Sequence, residues 1–360
     1  MTRARQNANI SPAVGRNMII NGAMNLAQRS ASVTGIGAAD GYFTVDRVNF
    51  AQATNAGRLT MSQTADGPNG ISANCLKLDC TTVDTSIAAD EAALLQWKLE
   101  GQNLQRIGKG VAGAKQLAVS FYVKGNASAT YTCELFDNDN GRCNGQTFAV
   151  TTDWTRVELI FPADEDDGSS PLDDDNAWSF SINIWIHAGA TYTGGTFTNG
   201  TWANSSSGNI RVGSQSSFFD ATTRTFFITG VQMEVGPVAT EFEQEDFGTT
   251  LQKCERYFQK WDVEATVGTG LWFSGTQLLG NLSFRQIMRT SPTISVSSAD
   301  FVKAYKDGSA VNANDSASPF DIININSARF NLAMASAATD GMGALIQMNG
   351  SEYIHVDAEL

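Results

Sequence analysis

The stretch Phe226 to Trp261, FFITGVQMEVGPVATEFEQEDFGTTLQKCERYFQKW, decides how the rest of the chain is read. Phe226, Ile228, Val231 and Met233 are the apolar positions of a β-strand, interrupted at Gly230, where a bulge or bend is expected. Val235-Gly236-Pro237 ends that strand, because Pro237 has no N–H to offer a central ladder. Leu251, Cys254, Tyr257, Phe258 and Trp261 then fall on one face of a helix. Lys253, Glu255, Arg256, Gln259 and Lys260 take the other face, and Thr249 or Thr250 fits the N-cap. A lone helix of about a dozen residues is marginal in water, so this one needs a packing partner.

Working outward, 360 residues suggest two or three domains, and abundant Gly, Ser, Thr and Asn suggest many short strands joined by polar turns. A mainly β protein is expected. The formal net charge of −13, without clustered Lys and Arg, argues against a nucleic-acid partner and against an anionic membrane surface. No apolar run is long enough for membrane insertion as a helix. The N-terminus, MTRARQNANISPAVGRN, lacks the apolar stretch of a secretory signal. Five cysteines, Cys75, Cys80, Cys133, Cys143 and Cys254, are an odd and sparse set, for which free thiols in a reducing compartment are expected. Cys133 and Cys143 flank ELFDNDNGR and could face each other across a hairpin, though spacing alone does not establish bridge geometry.

Strands are expected at Met18–Ile20, Tyr42–Phe50, Leu117–Gly125, Thr130–Phe136, Thr152–Pro162, Ala177–Ala188 and Phe226–Met233, enough for two packed sheets. Ala88 to Leu99, with Leu94, Leu95 and Leu99, is expected to be a short helical excursion. After the helix, strands near residues 294–296, 322–325, 328–335, 344–348 and 353–359 are expected to close a second sandwich. The division is a 1–15 arm, a 16–245 jelly-roll-like β-sandwich, a 246–262 linking helix and a 263–360 C-terminal β-sandwich.

Several motifs carry a resemblance. The order Asn17-Met18-Ile19-Ile20-Asn21-Gly22-Ala23-Met24, then Gln28-Arg29-Ser30, then Tyr42-Phe43-Thr44-Val45-Asp46-Arg47 resembles the opening of a domain found in tailed-phage tail fibres and other virion fibre proteins. That domain is similar to carbohydrate-binding jelly rolls. Its pattern usually places an aromatic residue after the Asp-Arg pair, where this chain has Val48. Asp153-Trp154-Thr155-Arg156, the turn Met288-Arg289-Thr290-Ser291-Pro292-Thr293 and the ending Asp357-Ala358-Glu359-Leu360 are similar to the same family. The resemblance implies a structural and adhesive protein of a phage virion appendage, a tail fibre, with a homotrimer, other virion proteins and a host-surface glycan as partners. It also suggests that Leu251, Cys254, Tyr257, Phe258 and Trp261 pack at the domain junction or against copies near a threefold axis.

The strand at 178–187 sets Trp178, Phe180, Ile182, Ile184 and Ile186 on a core face and Ser179, Ser181, Asn183, Trp185 and His187 on the other. Sugars need a flat apolar platform beside hydrogen-bonding groups, so Asn183, Trp185 and His187, with Tyr192 and Trp202 from the polar segment 190–217, are candidate glycan contacts. The competing reading covers Trp185 with a loop or a neighbouring subunit. The acidic run 164–176 has oxygens for a hard cation but no fixed ligand spacing, and a solvated turn is expected there. No catalytic constellation is visible. His187 and His355 sit in no metal-ligand spacing, so no metal or cofactor is expected. Two further functional classes stay open: a head fibre or decoration protein without a ligand, and a surface-polysaccharide glycosidase, whose carboxylate pair would be recognised in space rather than in sequence.

Overall fold

The computed structural model describes residues 15–165, 171–205, 208–314 and 319–360. The 1–14 part of the expected arm and residues 166–170 of the acidic run lie outside the described residues. The chain forms two compact units, one reaching to Phe247 and including the terminal Leu360, the other spanning Gly248–Glu359. Both are β-structures, which establishes the mainly β fold class. No described helix is long and apolar enough to cross a membrane.

In the first unit the strands are β1 (Ser32–Ile36), β2 (Gly41–Tyr42), β3 (Asn49–Ala53), β4 (Arg58–Thr64), β5 (Cys75–Thr82), β6 (Ala92–Glu100) and β7 (Leu117–Gly125). They continue with β8 (Ala129–Asp137), β9 (Arg142–Val150), β10 (Thr155–Phe161), β11 (Trp178–Ala188), β12 (Ala203–Asn204) and β13 (Thr225–Val235). One sheet runs β1-β4-β5-β13-β7-β10 and the other β12-β9-β8-β11-β6-β3-β2, a jelly-roll-like sandwich whose neighbours are largely distant in sequence. Between the sheets, Trp97, Phe121, Phe180, Ile184, Phe226 and Met233 share one continuous core. Each fully buried large apolar side chain of this kind contributes about 1.5–3 kcal/mol.

The opening motifs knit one corner of this sandwich. Asn17 Oδ1 accepts from the Met233 N–H at 3.1 Å while Asn17 Nδ2 donates to the Val231 carbonyl at 3.1 Å. Asn21 Nδ2 donates to the carbonyls of Leu26 and Asp46. The Asp46 carboxylate accepts from the Gln28 N–H and Nε2. Burial nevertheless raises the Asp46 carboxyl above its ordinary value, against the lowering by those Gln28 bonds. β13 is the central strand that the opening stretch predicts. Gly230 has φ +62°, and the register shifts between Thr229 and Gln232, as expected of a bulge. A Cβ there would meet the Tyr122 ring at 2.9 Å, so glycine is required twice over.

Two helical expectations are corrected. Ala88–Leu99 is not helical: β6 pairs on both sides, with β11 and with β3. Ala93, Leu95, Trp97 and Leu99 enter the core in alternation, a period of two that the Leu94-Leu95 pair disguised. The second unit opens with α2 (Phe247–Glu255), the helix α1 (Ala190–Thr193) belonging to the first. α2 starts ahead of Thr249 and Thr250 and stops before Tyr257. Phe258–Trp261 is instead a strand, β14, paired antiparallel with Ile354–Asp357. Aromatic residues suit a strand, and the C-terminal segment supplies ladder partners that no local pattern reveals.

The remaining strands are β15 (Thr266–Ser274), β16 (Gln277–Ser283), β17 (Thr293–Val296), β18 (Val302–Lys306), β19 (Ser309–Asn312), β20 (Phe320–Asp321), β21 (Ser327–Ala333), β22 (Gly343–Met348) and β23 (Ile354–Asp357). They make a three-stranded sheet β14-β23-β17 and a seven-stranded sheet β19-β18-β22-β15-β16-β21-β20 around a core containing Trp261, Trp272, Phe301, Phe330 and Ile354. The strand expected at 322–325 is absent, with Ile322 exposed at φ +47°. Arg289 of the Met-Arg-Thr-Ser-Pro-Thr turn donates to the carbonyls of Ala358 and Glu359. All five cysteines are buried free thiols; Cys143 lies opposite Phe136 and Cys133 opposite Gln146, so register separates the two.

Candidate functional site

The strand that carried the site expectation, β11, lies at the centre of the seven-stranded sheet, between β8 and β6. From Phe180 onward its alternation is as expected, with Phe180, Ile182, Ile184 and Ile186 facing the core. Trp178, expected on that face, is corrected: the register shifts between Trp178 and Phe180, and the indole lies on the other face against Phe136 and Lys98. The other face carries a row of polar side chains in cross-strand register, with Asn49 opposite Gln96, Gln96 opposite Asn183, and Asn183 opposite Glu134. The row is hydrogen-bonded throughout. Asn49 Nδ2 donates to Gln96 Oε1 at 3.1 Å, Gln96 Nε2 to Asn183 Oδ1 at 3.0 Å, and Asn183 Nδ2 to Glu134 Oε2 at 2.8 Å. Each amide therefore has a fixed orientation, and the row ends on a fully buried carboxylate.

Arg211 answers that carboxylate. Its Nε and NH2 reach the two Glu134 oxygens at 2.6 and 2.8 Å, a bidentate pair. Burial disfavours the guanidinium charge, but Glu134 outweighs it and raises the Arg211 pKa. The guanidinium also lies over Phe136 and Trp185, 4.5 and 5.1 Å from their ring centroids. Arg211 comes from the polar stretch after β11, and with Tyr192 and Val212 it closes over this end of the sheet. At Gly145, in the same cross-strand row, a Cβ would meet the Arg211 carbonyl at 2.7 Å. A bare backbone is what lets the covering segment descend.

The covering segment changes the standing of the expected glycan contacts. Trp185 is only 2% exposed, beneath Tyr192 at 5.0 Å between centroids, in a small cluster with Ala92, Leu94 and Val212. Its indole Nε1 donates to Glu134 Oε2 at 2.8 Å. Asn183 and His187 are fully buried. An open platform at Trp185 is therefore corrected: the loop supplies the cover that a ligand would need to supply. Tyr192 is half-buried as part of that cover. Trp202 is elsewhere, half-buried against Phe180 of the core, with Nε1 bonded to the Pro162 carbonyl and the Lys109 ammonium over its ring. Of the expected interface residues, Cys254, Tyr257, Phe258 and Trp261 are buried, Trp261 in the core of the second unit, while Leu251 is half-buried.

The open part of this face lies past the polar row, around residues that the sequence reading did not single out as contacts. Trp178 and Phe136 are half-buried neighbours, 6.1 Å between centroids. The Lys98 ammonium sits 4.6 Å above the Trp178 ring, and Trp178 Nε1 has no hydrogen-bond partner among the described residues. Lys98 Nζ and Tyr42 Oη both donate to the Leu360 carbonyl, at 2.8 and 3.3 Å. The missed signal was Phe136 and Lys98 on strands paired with β11.

At the far end of β11 a second group of buried side chains meets. His187 Nδ1 and Ser217 Oγ are 2.9 Å apart, and Ser217 Oγ also accepts from the Phe219 N–H. The other nitrogen, Nε2, lies 3.5 Å from Glu91 Oε2 and 3.8 Å from Asp84 Oδ2. Burial lowers the imidazole pKa, against the raising influence of the two carboxylates. Within the acidic run, Asp164 is not solvated. It is buried, and Arg142 grips it with Nε at 2.8 Å and NH2 at 2.7 Å. Lys109 Nζ reaches the same carboxylate at 2.9 Å and also contacts Asp137.

No protein-family model matches the sequence, and no curated protein matches it. Solved structures similar to it include the family 11 carbohydrate-binding module of the cellulosomal cellulase Lic26A-Cel5E of Clostridium thermocellum, 14% identical over 59% of this chain and 99% of that one, with a TM-score of 0.28. TmCBM61 in complex with β-1,4-galactotriose is 9% identical over 62% of this chain and 100% of that one, with a TM-score of 0.32. The N-terminal cellulose-binding domain of β-1,4-glucanase C of Cellulomonas fimi is 11% identical over 59% of this chain and 98% of that one, with a TM-score of 0.29. The sandwich architecture itself is read from the two sheets of the first unit and their shared core.

Proposed function

We propose that this chain is a structural and adhesive component of a phage virion appendage, without enzymatic activity, and that its first sandwich takes a host-surface glycan on the outer face of the seven-stranded sheet. One observation carries the glycan reading: the half-buried Trp178 and Phe136, with the Lys98 ammonium above the indole, stand beside a row of orientation-locked amides. An aromatic face takes the C–H face of a sugar, while an ammonium donor takes its hydroxyls; both are set on strands rather than loops. The open contact is thus shifted from Trp185 to Trp178, one edge further along the same strand. The virion setting rests on the motif order from Asn17 to Arg256. A homotrimer fits that setting, because three weak sites on one particle gain avidity without new contacts.

Binding of the purified chain to host surface polysaccharide by calorimetry, with its mass by light scattering in the same buffer, tests the reading. Trp178→Ala is expected to weaken binding at least about tenfold, the loss of one stacking contact of about 1.5 kcal/mol. Unchanged affinity in folded Trp178→Ala and Phe136→Ala would remove the site from this face, and a monomeric mass would remove the trimer.

A further inference from the structure

We propose that Asp84, Glu91 and His187 form a binding site for a first-row divalent transition cation, zinc above all, which ties the loop between β5 and β6 to the end of β11. The three residues come from different places in the chain: Asp84 just after β5, Glu91 just before β6, and His187 near the end of β11 opposite Ala93. One ligand atom from each lies within 4.8 Å of the others.

The distances separate a metal site from a hydrogen-bonded triad. His187 Nε2 stands 3.5 Å from Glu91 Oε2 and 3.8 Å from Asp84 Oδ2. These are longer than the 2.6–3.1 Å bonds along the polar row of the same sheet. Two ligands on one tetrahedral zinc, with bonds of 2.0–2.2 Å, are separated by about 3.3–3.6 Å. His187 Nε2 and Asp84 Oδ2 are accordingly buried polar atoms without a hydrogen-bond partner. The exposures of the three residues are 0% for His187, 6% for Asp84 and 5% for Glu91, so water does not solvate them either.

Charge points the same way. Among the described residues neither carboxylate has a Lys or Arg ion pair; the imidazole is their one basic neighbour. Two buried carboxylates held together without a countercharge are costly. A divalent cation would neutralise both.

The surroundings already orient the three ligands. Ser217 Oγ holds Nδ1 at 2.9 Å, which aims Nε2 at the carboxylates, the outer-shell contact that metal-bound imidazoles use. The Ser86 N–H at 3.2 Å engages Asp84 Oδ1 and leaves Oδ2 free, while the Ala88 N–H at 2.9 Å holds Glu91 Oε2. Phe219 packs its ring edge-on to the imidazole and accepts the Asp84 N–H on its carbonyl. An imidazole nitrogen disfavours calcium and magnesium, which prefer oxygen ligands, and favours zinc and its neighbours. The loop above the site is exposed at Val83 and Ile87, giving an ion a short way in.

The test uses the full chain, stripped with a chelator, dialysed and titrated with Zn2+ by calorimetry at neutral pH, with thermal unfolding followed in parallel and Ca2+ and Mg2+ as controls. One equivalent of Zn2+ is expected to bind and raise the unfolding temperature, with Ca2+ and Mg2+ leaving it unchanged. Asp84→Asn, Glu91→Gln and His187→Gln are each expected to weaken Zn2+ at least about tenfold, judged against the losses that even outer-shell changes cause. His355→Gln is expected to bind as the native chain does, and the loss in Asp84→Asn separates this site from the five thiols. Should His187→Gln fail to fold, Asp84→Asn and Glu91→Gln, which keep side-chain volume and remove charge, decide the matter. Absence of one saturable equivalent on the folded native chain overturns the proposal, as does undiminished affinity in folded Asp84→Asn and Glu91→Gln.

Discussion

Glu134 and the pair Asp84–Glu91 are buried carboxylates served by one strand, and they are treated in opposite ways. Glu134 accepts from Asn183, Trp185 and Arg211, four hydrogen bonds that include a bidentate guanidinium. Asp84 and Glu91 face an imidazole at distances too long for a good bond and, among the described residues, have no Lys or Arg ion pair. The first cluster is complete as built, so its role is to fasten the stretch around Arg211 onto the sheet. The second lacks a countercharge. The difference teaches that burial of a polar group does not by itself mark a binding site; what marks one is burial with hydrogen-bonding capacity left over.

The largest expected effect breaks the complete cluster. Arg211→Met leaves Glu134 buried and unpaired, which is expected to cost about 3–5 kcal/mol in chemical denaturation. Adding Glu134→Gln is expected to recover part of that loss, because the stranded charge is gone. A loss no greater than that of an exposed substitution, below about 0.5 kcal/mol, would mean that Arg211 does not hold the segment down. The incomplete cluster is expected to respond with the opposite sign. In metal-stripped protein Asp84→Asn removes an uncompensated charge, and stability is expected to rise by about 1 kcal/mol, measured by the same unfolding curves. A marked loss would show that the carboxylate is already satisfied there.

The smallest expected effect concerns Asp164, a further buried carboxylate and a paired one. Burial pushes its carboxyl up, but hydrogen bonds and charge from Arg142 and Lys109 overcome this and hold it below the ordinary carboxylate range. A depressed folded value stabilises the fold above the unfolded value, near about 3.9, and that contribution is lost as pH falls below it. Between about pH 5 and 3 the native chain is therefore expected to lose urea stability more steeply than Asp164→Asn. Parallel slopes would remove Asp164 from the paired class.

Legibility in the sequence followed the range of the interactions. The Phe226–Met233 strand with its bulge at Gly230 was readable, since alternation and a missing Cβ are local facts. So was the face assignment of β11 from Phe180 to Ile186, whereas Trp178 was not, because the register shift that turns it to the other face is set by pairing with β6. Residues 88–99 misled because two adjacent leucines mimic a helical stripe, while strand or helix was decided by pairing with β3 and β11. Tyr257 to Trp261 misled in the same way: their spacing fits a helix, yet the ladder partner lies at Ile354–Asp357. Trp185 was read correctly as facing away from the core, but its cover was not readable, because Arg211, Tyr192 and Gly145 meet only in three dimensions.

By itself, then, the sequence determined the mainly β class, the periodicity of the central strands, the bulge and the acidic, sparsely basic surface, because each follows from residue type and nearest neighbours. Only the tertiary structure decided which polar residues are paired and which are left wanting. His187 looks like a solitary histidine in the sequence; the sheet brings Glu91 and Asp84 to its ring. Burial and partnership are properties of chain segments distant in sequence, and the same side chain is a fastening in one surrounding and a ligand in another.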